Sequence, residues 1–264
     1  MRRNHLTGLA ILFLTLSLWG TLRFLHPQTS SPFSVKSDCS QFLPNGKTPQ
    51  FENTSYSQKT QTLCFDAYRT LYSQKTRTAL WSAEFLTPKH IEEAQKMKRV
   101  NVFHAEMQLP QQWRAQNTDY AHSGYDRGHL APSGDMPTPQ AQHQSFSLAN
   151  MAPQWPSLNR QAWAHLEEAI RRKALKTPLY VITGVLFEGN QIEFLKGRVA
   201  IPTTFYKIVF DPTHQQAMVY WALNQANSEV NSEPLFRFEQ EKKIHLNLGH
   251  VSPLLLHFSN HSHH

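Results

Sequence analysis

The sequence predicts an α+β fold with a mainly antiparallel sheet, on three observations. Three C-terminal runs, PLYVITGVLF, GRVAIPTTFYKIVFD and QAMVYWALN, are rich in β-branched and aromatic residues and read as strands, the last two as a hairpin around Pro212-Thr213-His214. The stretch from Ser157 to Lys173 carries Leu158, Ala162, Leu166, Ala169 and Ile170 at helical spacing, with Pro156-Ser157 as a start signal. The 264 residues are 40% hydrophobic and 11% aromatic with a mean hydropathy of −0.50, enough apolar side chain for one medium-to-large core. That composition excludes a polytopic membrane protein and wholesale disorder.

At the N-terminus, residues 6–22 (LTGLAILFLTLSLWGTL) are uncharged and apolar, preceded by Arg2, Arg3 and His5 and closed by Arg23. Residues 1–25 therefore read as a signal peptide or a signal anchor. The run is shorter than the roughly 20 residues of a comfortable spanning helix and longer than the core of most cleaved signals, so both readings stand. Either one delivers the rest across the cytoplasmic membrane, to a periplasmic or extracellular site, with residues 6–22 as the membrane contact if they are retained. Residues 26–60, rich in Ser, Thr, Gln, Pro and Asn, read as a linker and an irregular lobe. The only cysteines, Cys39 and Cys64, would form one disulfide in an oxidising compartment, worth roughly 3–4 kcal/mol on the chain-entropy model. Two buried free thiols are the alternative.

A globular domain is expected over residues 61–258. CFDAYRTLYS and TALWSAEFL alternate like strands, KHIEEAQKMKRV is charged and helix-like, and residues 121–157 are so crowded with Gly and Pro that they read as irregular. The last six residues, 259–264, form a His-rich tail read as a disordered terminus. Lys and Arg number 26 against 19 Asp and Glu, a formal +7 with 15 His taken as neutral and a pI near 9.4. Without Arg2, Arg3 and Arg23, the portion from residue 26 onward has 23 basic against 19 acidic residues, or +4. Such a surplus permits a polyanionic partner without demanding one.

The chemistry-bearing segment is Tyr125-Asp126-Arg127-Gly128-His129-Leu130-Ala131-Pro132, followed thirty residues after the histidine by Asn159, then by Glu167 and Arg171. An imidazole titrating near neutrality can take a proton from water, and an adjacent guanidinium offers a fork to phosphate oxygens. Glu167 and Arg171 stand i, i+4 and share a helical face. Asn159 is too far along the same helix to stack directly under Glu167, and reaches the site as a first-turn residue pointing its amide oxygen across the helix end. Hard oxygen ligands, few and completed by water, suit Mg²⁺ better than Zn²⁺. Taken singly, each has a plain structural reading: Asn159 as a helix cap, Glu167 and Arg171 as an exposed helix pair.

Together, YDRGHLAPSGDM and NMAPQWPSLNRQAWAHLEEAIR resemble the DNA/RNA non-specific endonuclease family in residue types and in the spacing between blocks. Weaker likeness runs through LWSAEFLT, Arg99, Phe103 and Glu106 upstream and VAIPTTFYKIVF downstream, covering roughly residues 62–225. The resemblance implies a ββα-metal (His-Me finger) active site, in which a hairpin-like segment delivers the histidine and a helix delivers the metal ligand. It implies His129 as general base, Asn159 as the direct ligand of one Mg²⁺ with Mn²⁺ as a substitute ion, and Glu167 holding the ion's waters. Arg127, Arg171 and Arg99 correspond to phosphate-binding arginines, with Arg114 or Lys98 as alternatives to Arg99. Asp126, Gly128 and Asn150 fall in structural positions of the site. The implied activity is Mg²⁺-dependent cleavage of DNA and RNA with little sequence specificity. The rivals are a non-cleaving nucleic-acid-binding or uptake protein on the same fold, and a phosphodiesterase for small or lipid-linked phosphates. Oligomeric state is left open, a homodimer included.

Overall fold

The computed structural model describes residues 39–51, 56–189, 191–246 and 248–256. The signal or anchor segment, the linker up to residue 38 and the His-rich tail lie outside the described residues. In chain order the main elements are β1 (Thr60–Cys64), β2 (Tyr68–Ser73), β3 (Thr78–Leu86), α1 (Pro88–Gln95), β4 (Asp126–His129), α2 (Pro139–Ser145), β5 (Met151–Gln154), α3 (Trp163–Ala174), β6 (Leu179–Leu186), β7 (Thr204–Asp211), β8 (Gln216–Leu223), β9 (Asn231–Glu233) and α4 (Leu235–Lys242). The central sheet runs β9-β8-β7-β6-β3-β2-β1, every neighbour antiparallel, and Ser252–Pro253 adds in parallel to the start of β8. This is the mainly antiparallel α+β architecture expected.

Side-chain alternation gives the sheet two apolar faces. On one, Phe205 and Val209 of β7 and Val181 of β6 meet Trp163, Leu166 and Ile170 of α3, all buried. On the other, Tyr206, Ile208 and Phe210 meet Phe238 of α4 and the Phe42-Leu43 turn. That turn is tied to the sheet edge by the Cys39–Cys64 disulfide, with Cα atoms 5.8 Å apart. Both α1 and α2 begin at a Thr-Pro pair: Thr87 accepts from His90 N at 3.2 Å and Thr138 from Ala141 N at 3.1 Å, with Pro88 and Pro139 at the first position, where a missing N–H costs nothing.

Four sequence expectations need correction. CFDAYRTLYS holds a reversal, since Phe65 N donates to Tyr68 O at 2.9 Å and β1 turns into β2. The charged helix stops at Gln95, because the chain leaves it to run toward α2, where Val100 N donates to Gln142 Oε1 at 2.9 Å. GRVAIPTTFYKIVFD is broken at Pro202, which has no N–H for a ladder, so Val199–Ala200 pairs with Phe194–Leu195 and β7 starts at Thr204. Residues 121–157, read as irregular, contain α2 and the β4–β5 hairpin, which stands apart from the main sheet.

Candidate active site

The β4–β5 register pairs Asp126 with Gln154, Arg127 with Pro153, Gly128 with Ala152 and His129 with Met151. Residues two apart share a strand face, so Arg127 and His129 project together. Gly128 is the residue the packing requires: a Cβ there would sit 2.6 Å from Gln154 Cβ, against Gln154 Oε1, and 3.1 Å from Ala152 O. Beyond the strand, buried Asn150 fixes the turn. Its Oδ1 accepts from Ser82 Oγ at 2.8 Å and Ala131 N at 3.0 Å, while its Nδ2 donates to Ala131 O at 2.8 Å and Ser145 O at 3.0 Å. Every polar atom of that amide is used, the condition under which a buried Asn stabilises rather than costs.

The hairpin rests on a polar row crossing the sheet. Thr70, Ser82, Thr183 and Lys207 are successive register partners on β2, β3, β6 and β7, each almost fully buried on the face that carries α3. Lys207 is 1% exposed; its Nζ donates to Thr183 Oγ1 at 2.7 Å and Leu130 O at 3.5 Å, lies 5.5 Å from the Trp163 ring centroid and 3.7 Å from Glu167 Oε1. Glu84 is buried on the same side of β3 with neither carboxylate oxygen hydrogen-bonded, and burial pushes its carboxyl well above the usual range.

The helix that faces the hairpin is not a regular α-helix at its start. Residues Leu158–Ala162 form a π turn before α3. Eight regular residues rotate by about 800°, leaving Asn159 roughly 80° away from Glu167; a π turn absorbs one residue and brings them within about 20°. The expectation that Asn159 only points across the helix end is corrected: Asn159 and Glu167 line the same cavity from one helix face. Asp126 orients the Asn159 amide, with Nδ2 donating to Oδ2 at 2.9 Å, so that the amide oxygen is left for another partner. Arg160 clamps the same carboxylate, Nε at 2.8 Å and Nη2 at 2.6 Å.

That cavity, about 570 Å³, is walled by Arg99, Arg127, His129, Asn159, Glu167 and Arg171 together. Among the described residues His129 Nε2 has no hydrogen-bond partner, and the ring packs edge-on to Phe146 at 4.9 Å. Burial, with Arg99 and Lys207 adding like charge, pulls the imidazole down to about 3, so it is neutral at neutral pH. The Glu167 carboxyl is raised by burial and partly held down by Lys207 and Arg171. Arg171 does not pair with Glu167 as an exposed helix couple; its Nη1 donates to buried Asp135 Oδ1 at 2.9 Å. Arg127 lies over Phe103 at 4.9 Å and Arg99 over Phe146 at 5.3 Å, with Arg99 Nε on Asn101 Oδ1 at 2.7 Å. Arg114 turns instead to Leu109 O and Met107 O, away from the cavity. Sequence reasoning missed Lys207, Glu84 and Asp135, although a charge in the middle of an apolar strand (FYKIV, SAEFL) is the kind of signal that could have found the first two.

A sequence model of the DNA/RNA non-specific endonuclease family matches residues 39–247. The chain belongs to this family. Mitochondrial endonuclease G of Caenorhabditis elegans is 35% identical over 197 residues, covering 69% of this chain and 63% of the relative. Nuclease C1 of Cunninghamella echinulata var. echinulata is 34% identical over 188 residues, covering 66% of this chain and 75% of the relative. A nuclease of Nostoc sp. is 32% identical over 169 residues, covering 63% and 58%. The chain thus spans less than two thirds of the nematode and Nostoc relatives. Among solved structures, a chain of the EndoG/EndoGI complex, a study of EndoG inhibition, matches with a TM-score of 0.62 at 29% identity, covering 70% of this chain and 84% of that one. Divalent-metal dependence is a property of the family.

Proposed function

We propose that this protein is an exported, Mg²⁺-dependent endonuclease that hydrolyses phosphodiester bonds of DNA and RNA with little sequence specificity. The observation that carries the reading is the convergence of Arg99, Arg127 and Arg171, the His129 imidazole and the oxygen-bearing side chains of Asn159 and Glu167 on one cavity. The donor set fits a hard cation: the Asn159 amide oxygen is freed by the Nδ2 bond to Asp126, and Glu167 faces the same space. Among the described residues no group of three or more His, Cys, Asp or Glu converges, so water would complete the ion's shell. When bound there, Mg²⁺ supplies Lewis-acid stabilisation of charge on the scissile phosphate and the departing 3′ oxygen.

The protein's own groups do the rest. Arg127 and Arg171, with Arg99 opposite, hold the phosphate and match the charge that grows on it. His129, kept neutral by its surroundings, takes a proton from a water in line with the phosphorus. Glu167 would orient water in the ion's shell, and Lys207 behind it opposes the upward pull of burial on that carboxyl and holds it in place. Contacts of this kind grip phosphate rather than base edges, which supports weak sequence preference. Export is supported by the disulfide, which needs an oxidising compartment, and by the apolar N-terminal run.

The test is incubation of supercoiled plasmid and total RNA with the purified soluble part, in Mg²⁺ or in EDTA. Cleavage of both in Mg²⁺ and of neither in EDTA is expected. Intact plasmid in Mg²⁺ overturns the nuclease reading and leaves the non-cleaving binder. N-terminal sequencing of protein from membrane and soluble fractions tests the export reading.

A further inference from the structure

Outside the cavity, a group of cations gathers around one surface loop. It is built on the loop from Met107 to Tyr120, MQLPQQWRAQNTDY, whose only carboxylate is Asp119. Five cations from four separate places in the chain fasten onto this loop. Arg127 donates to Asn117 O at 3.4 Å, and Lys196 Nζ donates to Thr118 O. Arg198 donates to Asp119 Oδ1 at 2.8 Å and to Arg114 O at 3.3 Å. Arg77 donates to Gln112 O at 3.1 Å, and Arg114 belongs to the loop itself. The Lys196-Gly197-Arg198 turn is held beside Arg77 because Ala200 N donates to Thr76 O at 2.9 Å. Against these five stands buried Asp119, already consumed by Arg198; Glu106 is buried and turned inward onto Ser147 Oγ at 2.7 Å. Glu193, at the far end of the same hairpin, acts on Tyr125 instead.

Most of these bonds go to main-chain carbonyls, which position the guanidinium and ammonium groups without neutralising them. Lys196 and Arg198 are exposed, and Arg127 belongs both to this surface and to the cavity wall. A row of fixed cations, of which Arg198 alone has a carboxylate partner among the described residues, begins at a phosphate-binding arginine, leads away over the surface and is complementary to a polyanion continuing out of the cavity.

We infer that the Met107–Tyr120 loop, with Arg77, Lys196 and Arg198, is a landing track for the phosphodiester backbone of a nucleic acid that extends past the scissile bond. This rests on the nuclease reading of the cavity and deepens it: the track makes long nucleic acids better ligands than short ones. The sites involved are side chains that touch phosphate rather than bases, so the preference is for length and charge and not for sequence.

The test is equilibrium binding in EDTA, by fluorescence anisotropy, of a 24-base-pair duplex and of a four-nucleotide single strand, each across a salt series. The variant is Lys196→Glu combined with Gln112→Glu; both positions are exposed, and each change leaves the main-chain carbonyls of the loop in place. Arg237→Glu on α4 is a charge-reversal control away from the loop. For the double variant we expect affinity for the duplex at low salt to fall about tenfold and the log–log salt slope to shrink by about 0.9 for each phosphate no longer neutralised. The loss is confined to the duplex, and Arg237→Glu leaves both ligands unchanged. An unaltered duplex slope, or an equal loss with Arg237→Glu, overturns the track. Wild-type plasmid cleavage is scored separately: binding that depends on the track without any cleavage in Mg²⁺ overturns the nuclease reading alone, and cleavage with an unaltered slope overturns the track alone.

Discussion

Asp126 is the residue on which the Asn159 assignment turns, and Asp126→Ala is the sharpest perturbation of it. The carboxylate accepts from Asn159 Nδ2 at 2.9 Å and from Arg160 at 2.8 and 2.6 Å. Arg160 is 68% exposed, so its share is a screened surface pair worth at most about 1 kcal/mol. The Asn159 bond is different in kind: it decides which end of the amide faces the cavity. A hydrogen bond to a charged acceptor is worth about 1.5–3 kcal/mol, which is roughly a 10- to 150-fold bias between the two amide orientations. Losing it lets the Asn159 amide present nitrogen to the ion as readily as oxygen and frees Arg160 to add positive charge nearby. The half-saturating Mg²⁺ concentration for plasmid cleavage should therefore rise by about tenfold or more, within the range seen when groups behind a metal ligand are removed. Asp126→Asn keeps one acceptor oxygen and should lie between wild type and Asp126→Ala. Arg160→Gln, which leaves the Asp126–Asn159 bond intact, should shift the Mg²⁺ curve least. If Asp126→Ala lowers the melting temperature but keeps the wild-type Mg²⁺ curve, Asp126 only ties the helix to the hairpin and the reasoning about Asn159 fails.

Other expectations are equally direct. His129→Ala should nearly abolish turnover while plasmid binding in EDTA persists; residual turnover near wild type would remove it as the base. Because burial holds the His129 imidazole down at about 3, the group stays neutral as pH falls, and at pH 6.5 only about one molecule in three thousand carries the extra proton instead of half. The pH dependence of kcat/KM between 8 and 5.5 should therefore show no limb centred near 6.5, and such a limb would refute that environment. Gly128→Ala forces its Cβ onto Gln154 at a cost of about 1–3 kcal/mol, read as a melting temperature lower by several degrees, and an unchanged transition would show that the hairpin gives way freely. Lys207→Met leaves Glu167 and Glu84 buried without their cation; a loss of about 3–5 kcal/mol in denaturant unfolding is expected, with a rise in half-saturating Mg²⁺, and a more stable variant would contradict it.

Much of this was legible along the chain and some was not, for definite reasons. The β7–β8 hairpin and β6 were readable because β-branched and aromatic residues run for eight positions between turn signals, and α3 because its apolar residues keep helical spacing. The blocks that carry His129 and Asn159 were readable by family likeness, since residue types and spacing both match. The π turn at Leu158–Ala162 was not, because no residue type marks an extra residue in a helical turn, and it alone sets whether Asn159 and Glu167 share a face. The β4–β5 hairpin was hidden because its strands are four residues long and hold Gly128 and Pro153, which propensity counts against a strand. The polar row was hidden for another reason: Thr70, Ser82, Thr183 and Lys207 are each ordinary within their own strands, and only the register brings them into line.

That row explains why a chain of ordinary core composition places a lysine and a glutamate where leucines would pack. A buried ion is costly, and a well-filled apolar interface between α3 and β7 would be at least as stable. What an apolar residue could not do is hold the hairpin and the helix in fixed relation. Lys207 reaches Leu130 O, one residue from His129, and Glu167 on α3, so a single ammonium group links the element that carries the imidazole to the element that carries Asn159. Ser82 does the same for the turn through Asn150. The imidazole and the amide oxygen come from separate segments of the chain, and errors of about 1 Å between them would be enough to cost rate. The polar row is where that distance is set, and its cost in stability is the physical reason Lys207 belongs to the site rather than to the core.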